Sequence, residues 1–417
     1  MKKICLLIIA VLILTGCMTS NEPSEEAISE VINEINDLEK KKTIDERAEE
    51  IVNAMSLEEK VAQLFVIDLY TYNNKVEVTQ LSEELESKLV AFPVGGVIYF
   101  SGNIVNRDQL IRLTEDLQRI SEIPLFISID EEGGKVSRLG HNSEMGMTPI
   151  PSALTIGNSL EVHNAYQIGR ILGRELNALG FNIDFAPVAD VNTNKSNPVI
   201  GDRAFSDDPT IVGAMVGEEI KGLQEQGVAA VAKHFPGHGD TSLDTHKGTV
   251  YVNHDKKRLE EVELVPFLSA IDEGVKGIMV AHIALPFITK DDIPASLSKP
   301  IITDILRGEM NYKGFVITDA LNMAAITDLY KADEACIKAL HAGVDVLLMP
   351  EDFTLAYDGI IKAVKSGEIS EERIKTSVRT IIKLKLELGL FEKNRTRQPL
   401  SIIGSKEHLD TINEINK

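Results

Sequence analysis

The sequence predicts a (β/α)8 barrel as the main body of the chain. Eight short runs rich in Val and Ile alternate with longer stretches of helical periodicity, a pattern typical of buried parallel strands and crossover helices. The runs cover residues 64–68, 96–100, 125–130, 182–187, 229–234, 277–282, 315–319 and 345–349. A doubly wound open sheet is the alternative. No Gly-x-Gly-x-x-Gly motif follows the first run, so the dinucleotide-binding form of that fold has no support.

The chain begins with the features of a bacterial export signal. Lys2 and Lys3 precede the apolar run 4–14, which is too short to span a bilayer as a helix. The run ends in Leu-Thr-Gly before Cys17, and this tetrapeptide resembles a lipobox, in which cleavage precedes the cysteine and lipid is attached to its thiol. We therefore expect residues 1–16 to be a lipoprotein signal peptide. An ordinary signal peptide followed by a chance cysteine is the alternative.

Residues 17–42 are polar and acidic, which predicts a lipid-anchored tether. The expected location is the membrane surface outside the cytoplasm, with lipid on Cys17 as the only membrane contact. A net charge of −21 leaves no basic footprint for nucleic acid or for an anionic membrane. Three cysteines cannot form a disulfide framework, and we expect Cys336 to be a small buried hydrophobic residue. A monomer is expected, although no pattern sets the oligomeric state.

Polar side chains and glycines indicate where the helices between the strands begin and end. Helix starts are predicted at Thr43, Ser56, Asp208 and Asp255, and helix ends at Gly227 and Gly274. The first two starts carry a glutamate three residues later, which completes a capping box. The last helical pattern covers residues 370–390. The catalytic barrel is therefore expected to span residues 43–391, followed by a polar tail over residues 392–417.

Five of the eight apolar runs finish on an ionisable side chain. In a (β/α)8 barrel the carboxyl ends of the strands carry the active site, and burial of ionisable groups without partners is costly. Five such endings together therefore favour an active site over isolated caps or loop residues. They are Asp68, Asp130, Lys233 with His234, His282 and Asp319.

Residues 233–246 are the richest of these segments, with three histidines, two aspartates and a lysine. This set of side chains could hold a metal ion, or the glycines could give a mobile loop that carries an acid/base group. Asp244 and His246 are two residues apart, so in an extended stretch their side chains point to the same side. The carboxylate would then orient the imidazole and raise its pKa. A surface loop with chance histidines is the third interpretation.

Three further segments carry candidate site residues. Asp319 follows an apolar run, and a carboxylate at such a strand tip can act as a nucleophile at an anomeric carbon. The alternative for Asp319 is the N-cap of the following helix. Asp130 precedes a pair of glycines and can accept hydrogen bonds from two sugar hydroxyls. Arg203 can donate to a sugar hydroxyl or hold a carboxylate.

Taken in order, these segments resemble family 3 glycoside hydrolases of the β-N-acetylglucosaminidase branch. The resemblance covers residues 43–391, and its specific part is Lys-His-Phe-Pro-Gly-His-Gly at 233–239 followed by Asp-x-His at 244–246. It implies a retaining, two-step hydrolysis with Asp319 as the nucleophile, His246 as the acid/base and Asp244 as its partner. It also implies that no metal and no cofactor are needed. The residues that match the family's substrate-binding positions are Asp130, Arg138, Arg203, Lys233 and His234.

The resemblance further implies an exo-acting enzyme that removes terminal N-acetylglucosamine from cell-wall (muropeptide) fragments. Chitin oligosaccharides are an alternative substrate, and phosphorolysis is an alternative reaction at the same site. A non-catalytic sugar-binding lipoprotein and a zinc hydrolase that uses His234, His238 and His246 are alternatives of other classes. Two departures from the family pattern, Glu131 where some members carry Gln and Lys135 where many carry Arg, affect substrate detail.

Overall fold

A computed structural model describes residues 42–245, 248–392 and 395–416. The chain divides into two compact units, Met1–Glu49 and Glu50–Lys417. The predicted signal peptide, Cys17 and the tether up to residue 41 lie outside the described residues. In the described part of the first unit, Thr43 and Glu46 form the predicted capping box: each side chain accepts the backbone N–H of the other, at 3.2 and 2.8 Å. The helix Ile44–Ala54 begins there.

Eight parallel strands form the barrel; seven lie within the predicted runs, and the fifth extends one residue beyond its run, to Phe235. Their order is β7-β6-β5-β4-β3-β2-β1-β8, and a bridge between Ile317 and Val346 joins β7 to the segment that leads into β8. The last strand therefore neighbours both the first and the seventh, which confirms the (β/α)8 barrel and makes the open-sheet alternative wrong. The strands are β1 (Phe65–Asp68), β2 (Gly96–Tyr99), β3 (Phe126–Ile129), β4 (Ile183–Asp184), β5 (Ala229–Phe235), β6 (Gly277–Val280), β7 (Phe315–Thr318) and β8 (Leu347–Leu348).

One principal helix follows each strand. These helices are α1 (Glu83–Ala91), α2 (Arg107–Ile120), α3 (Val162–Leu179), α4 (Pro209–Gln224), α5 (Val265–Asp272), the π-helix α6 (Pro300–Glu309), α7 (Ala332–Ala342) and α8 (Phe353–Ser366). Two more complete the chain, α9 (Glu371–Glu387) and α10 (Lys406–Ile415). Short strands pair outside the barrel, Glu131–Gly133 with Val136–Ser137 and Val250–Tyr251 with Ile283–Ala284. Shorter helical segments are Leu57–Ala62, Leu69–Tyr72, Ala153–Asn158, Lys256–Arg258, Leu259–Glu263, Pro286–Thr289 and Ala324–Thr327.

The predicted helix boundaries in the barrel are confirmed. Ser56 and Glu59 form a capping box, the Asp208 side chain accepts the N–H of Thr210, and Asp255 accepts that of Arg258. Helix α4 ends three residues before Gly227 and α5 ends two residues before Gly274. Both glycines have positive φ angles of 76° and 72°, a conformation that favours glycine after a helix.

Aromatic side chains fill the amino-terminal end of the barrel interior. Phe126 and Phe315 begin strands on opposite sides of the ring, yet their rings stack with centroids 6.3 Å apart. The Lys385 side-chain nitrogen lies 4.9 Å from the centre of the Phe126 ring and donates to Gln63 Oε1 at 2.7 Å. Because this end is filled, the polar groups of the site lie at the opposite, carboxyl end of the strands.

The segment interpreted from sequence as a polar tail contains α10, which packs against α3. His408 is buried, and its Nδ1 lies 2.7 Å from the Glu175 carboxylate. Cys336 is fully buried in α7, as expected, and burial raises the pKa of its thiol. Within the described ranges, no helix combines the length and apolar character needed to cross a membrane.

Candidate active site

A cavity of about 390 Å³ opens at the carboxyl ends of the barrel strands. It brings together residues from the segments after β3, β4 and β7 and from β5 itself. Six of the predicted site residues line it, namely Asp130, Arg138, Arg203, Lys233, His234 and Asp319. Four separate stretches of sequence therefore converge on one cavity, and the roles assigned to the six residues can be examined against its geometry.

Asp319 directly follows β7, and its backbone N–H donates to the carbonyl of Val280 in β6 at 2.9 Å. Its Oδ1 accepts the N–H of Ala320 at 2.8 Å. Burial raises the pKa of Asp319, but the imidazoles of His282 and His234 outweigh it and hold the pKa below its usual range. The N-cap of the following short helix, Ala324–Thr327, is Met323. Asp319 is thus an ionised carboxylate in the cavity rather than a helix cap.

His282 supports the turn that carries Asp319. Its Nδ1 lies 2.7 Å from Ser296 Oγ, and its Nε2 lies 2.9 Å from the carbonyl oxygen of Ala320. A carbonyl oxygen can only accept, so Nε2 carries a proton and donates a hydrogen bond to the carbonyl of Ala320, the residue after Asp319. His282, the ionisable residue predicted at the end of β6, therefore positions the turn that carries Asp319.

Two cations and two carboxylates form a connected cluster on the floor of the cavity. Lys233 Nζ lies 2.6 Å from Asp130 Oδ1 and 2.5 Å from Glu132 Oε1. Arg203 donates two hydrogen bonds to Glu132, from Nε at 2.9 Å and from Nη2 at 2.8 Å. The Glu132 carboxylate thereby fixes Lys233 and Arg203 relative to each other, and charge-assisted bonds of this kind are the strong ones.

The charge of Glu132 is set by the same two cations. Burial raises its pKa, but Lys233 and Arg203 lower it more, to about 2. Conversely, burial lowers the pKa of Lys233, and Asp130 and Glu132 raise it above its usual range. Glu132 and Lys233 are therefore both charged at neutral pH. The sequence analysis did not select Glu132, although it directly follows Asp130 and Glu131 and precedes the paired glycines.

Asp190, which the sequence analysis also missed, orients His234. Its Oδ2 lies 2.7 Å from His234 Nδ1, and its Oδ1 accepts the backbone N–H of His238 at 2.6 Å. Burial raises the pKa of Asp190, but His234 outweighs it, so the group is a carboxylate. His234 Nδ1 therefore carries a proton, and Nε2 lies 3.4 Å from Arg203 Nη2 in the cavity.

Glu131 holds the turn that carries Arg138. Its carboxylate accepts the backbone N–H groups of residues 138–140 at 2.7, 2.9 and 3.2 Å, as well as the Ser137 hydroxyl. A carboxylate has enough lone pairs for four donors, whereas an amide offers a single acceptor oxygen. Glutamate thus suits this position better than glutamine would.

Arg138 reaches the cavity from that turn. Its guanidinium lies over the Phe100 ring, 5.4 Å from the centroid, and its Nη2 is 3.6 Å from Asp130 Oδ2. The other departure from the family pattern, Lys135, is largely exposed and pairs with Asp202 at 2.9 Å. Lys135 is not among the residues that line the cavity.

The predicted acid/base loop follows β5, and all of it except residues 246 and 247 is described. His238 is buried, with Nδ1 2.8 Å from Thr241 Oγ1 and Nε2 3.4 Å from Thr245 Oγ1. Burial lowers the pKa of His238, which favours the neutral imidazole. Thr245 lines the cavity, and Asp244 beside it is half-buried. His246 lies outside the described residues, so its pairing with Asp244 stays a prediction.

The chemistry around the described histidines does not favour the zinc alternative. His234 and His238 both contact Asp190, but the Arg203 guanidinium and the Lys233 ammonium lie close to His234 and would repel a divalent cation. Within residues 42–245, 248–392 and 395–416, no group of three or more His, Cys, Asp or Glu side chains is arranged to hold a metal ion.

Asp68, like His282, is absent from the cavity lining, and it makes its contacts elsewhere. Its Oδ1 accepts the N–H of Thr71 at 2.6 Å and caps the helix Leu69–Tyr72. It lines a separate cavity of about 240 Å³ at the ends of β1 and β8. The expectation that every ionisable strand ending belongs to one site is therefore wrong for Asp68.

Known proteins are similar to this chain in sequence and fold. Residues 56–384 match the glycosyl hydrolase family 3 N-terminal domain. The chain is 36% identical over 340 residues to Beta-hexosaminidase A of Pseudoalteromonas piscicida, which is 75% of this chain and 57% of that protein. It is 38% identical over 280 residues to a Beta-hexosaminidase of Nitrosomonas eutropha, covering 66% of this chain and 78% of that protein.

A solved structure shows the same relationship. The family 3 β-N-acetylglucosaminidase from a Paenibacillus species has a TM-score of 0.80 and 36% identity, covering 87% of this chain and 68% of that one. The chain thus spans 57% of the length of the Pseudoalteromonas relative. The family match covers most of the chain and agrees with the resemblance identified from the motifs. The chain belongs to glycosyl hydrolase family 3.

Proposed function

We propose that this chain is an exo-acting, retaining β-N-acetylglucosaminidase. The observation that carries the proposal is an ionised Asp319 in the same cavity as the Asp130, Lys233 and Arg203 cluster. A retaining glycosidase needs two things in its terminal subsite: a carboxylate that can attack the anomeric carbon, and charged side chains that bind the hydroxyl and amide groups of the sugar. The names of the family relatives, β-hexosaminidase and β-N-acetylglucosaminidase, support the same class of substrate.

The proposed reaction has two steps. Asp319 attacks the anomeric carbon, the bond to the leaving oxygen breaks, and an ester forms between the sugar and Asp319. Protonated His246 gives its proton to the leaving oxygen while Asp244 orients the ring. The neutral His246 then removes a proton from water, whose oxygen attacks the same carbon and releases Asp319. An imidazole suits this role because its ordinary pKa of about 6.5 lies near neutral pH.

The charged cluster accounts for substrate binding in this proposal. Asp130 keeps one carboxylate oxygen for sugar hydroxyls, since its Oδ1 is engaged by Lys233 and its Oδ2 is 3.6 Å from Arg138. The Arg203 guanidinium offers hydrogen-bond donors, and His234 Nε2 lies beside it, 3.4 Å from Nη2. Such polar groups give specificity when the substrate satisfies every one of them.

The proposed substrates are cell-wall fragments in which N-acetylglucosamine is linked to N-acetylmuramic acid. The predicted lipid on Cys17 and the acidic tether support this choice, because they would hold the domain outside the cytoplasm, close to the wall. We propose a monomer that is exported and touches the membrane only through that lipid. No metal or cofactor takes part in the proposed steps.

The test is release of the aryl alcohol from an aryl β-N-acetylglucosaminide, with and without phosphate. The protein would start after Cys17, and Asp319→Ala would be assayed beside it. Turnover that is independent of phosphate and absent from the variant supports the proposal. Strict dependence on phosphate would identify a phosphorylase. Sugar binding without turnover in either protein would instead identify a non-catalytic binder.

A further inference from the structure

The loop that carries Asp244 and the predicted acid/base His246 is tied together at its two ends. Asp240 directly precedes this loop and His254 directly follows it. The imidazole Nε2 of His254 lies 2.9 Å from Asp240 Oδ2. Both side chains are largely shielded, with 18% exposure for His254 and 33% for Asp240. The two side chains therefore meet where the loop of residues 241–253 begins and ends.

The outgoing end of the loop is held by the loop after β4. Thr193 Oγ1 donates to Asp240 Oδ1 at 2.9 Å, which leaves Oδ2 for His254. Asn197 Nδ2 donates to the carbonyls of His238 and residue 239 at 2.8 and 3.1 Å. The position of Asp240 is therefore fixed by groups that do not belong to the acid/base loop.

The returning end is held by the segment after β6. The strand Val250–Tyr251 pairs with Ile283–Ala284, and the N–H of Val252 donates to the carbonyl of Ala284 at 2.9 Å. His254 also lies 3.8 Å from Glu263, whose carboxylate accepts two hydrogen bonds from Arg258. Asp240 and Glu263 thus both face the imidazole, and Glu263 also contacts Arg258.

We propose that Asp240 and His254, called here the loop clasp, are positioning residues for the acid/base step. The inference rests on the proposed function, because it assumes that His246 protonates the leaving oxygen. Proton transfer requires the donor within hydrogen-bond reach of that oxygen, and a misplacement of about 1 Å can cost about 100-fold in rate. Holding both loop ends restricts where Asp244 and His246 can lie. The nucleophile Asp319 sits on β7 and does not depend on the clasp.

This division of labour predicts a dependence on the leaving group. A 2,4-dinitrophenolate leaves without protonation, so a loosened acid/base loop does not slow formation of the glycosyl-enzyme. An alkyl or sugar alkoxide leaves only when it is protonated. Cleavage of its bond therefore slows when the acid/base loop is loosened. A merely structural role for the clasp would lower the rates for all substrates together.

The experiment compares His254→Ala and Asp240→Asn on dinitrophenyl, methylumbelliferyl and disaccharide β-N-acetylglucosaminides. We expect kcat/KM to fall on the order of 10- to 100-fold for the disaccharide and less than about 3-fold for the dinitrophenyl substrate. Asp240→Asn keeps an acceptor oxygen for Thr193. This variant tests the same contact if His254→Ala does not fold. His408→Ala removes a histidine–carboxylate contact of 2.7 Å far along the chain, at Glu175, and is the matched control. It should show no leaving-group dependence.

Equal losses on all three substrates, or no loss, would overturn the role of the clasp. His246→Ala separates this failure from that of the proposed function. A leaving-group effect in His246→Ala without one in the clasp variants refutes the clasp alone. If His246→Ala shows no such effect, the acid/base assignment itself is wrong and the clasp role is refuted with it.

Discussion

Glu132→Gln should strongly lower the free energy of unfolding. Glutamine has nearly the same side-chain shape as glutamate, so the change removes the charge and leaves the packing alone. A pKa of about 2 in the folded protein, against an ordinary value of 4.5, corresponds to about 3 kcal/mol of stability from the ionised carboxylate. Glutamine cannot balance the charges of Lys233 and Arg203, and its amide nitrogen brings a donor where both neighbours donate. Removing one partner from a buried ionic cluster typically costs about 3–5 kcal/mol. We expect a loss in this range at pH 7.

Urea unfolding followed by far-UV circular dichroism would measure the change. The pKa of Glu132 is depressed by folding, so its contribution is present above the ordinary pKa near 4.5 and is lost as the pH falls towards about 2. The stability difference between wild type and Glu132→Gln should therefore shrink over that interval. Glu407→Gln, at an exposed contact with Arg170 and Arg174, is the control and should cost about 1 kcal/mol or less. A Glu132→Gln loss below about 1 kcal/mol, or one unchanged by pH, would refute the reasoning.

Three other substitutions test separate parts of the site. His282→Gln removes the main charge that lowers the pKa of Asp319, so the acid limb of the kcat/KM profile should move to higher pH; an unmoved limb would contradict that role. Glu131→Gln leaves one acceptor for four donors, so it should cost about 1–3 kcal/mol in chemical denaturation and raise KM through Arg138; unchanged stability and KM would refute it. Asp68→Ala loses a helix cap and should cost about 1 kcal/mol in denaturation while kcat/KM is retained, and a large loss of activity would place Asp68 in the site after all.

The barrel could be predicted from the sequence because its signals are local. Buried parallel strands read as continuous apolar runs, and residues such as Ser56 and Asp208 mark helix starts by chemistry that acts within three residues. The cavity residues Asp319 and Lys233 followed from the rule that barrel chemistry lies at strand ends. That rule could not separate Asp68 from them, because a strand-end aspartate also caps a helix.

Residues that act through long-range contacts escaped sequence reasoning. Glu132 bonds to Arg203 across 71 positions and Asp190 to His234 across 44, and no spacing rule signals either pair. The helix α10 was not predicted because most of its residues are polar. Its His408 contacts Glu175, which lies 233 positions earlier in the sequence. In each case the partner is set by the tertiary fold and not by the local pattern.

The central claim is that Asp319 forms a covalent bond to the sugar. A fluorinated N-acetylglucosaminide with a dinitrophenyl leaving group would slow the second step and trap the intermediate, which peptide mass spectrometry can locate. We predict a mass increase equal to one fluorinated sugar on the peptide that contains Asp319, and none in Asp319→Ala. Release of dinitrophenol with the label on another residue, or with no label under conditions that trap the intermediate, would contradict the account.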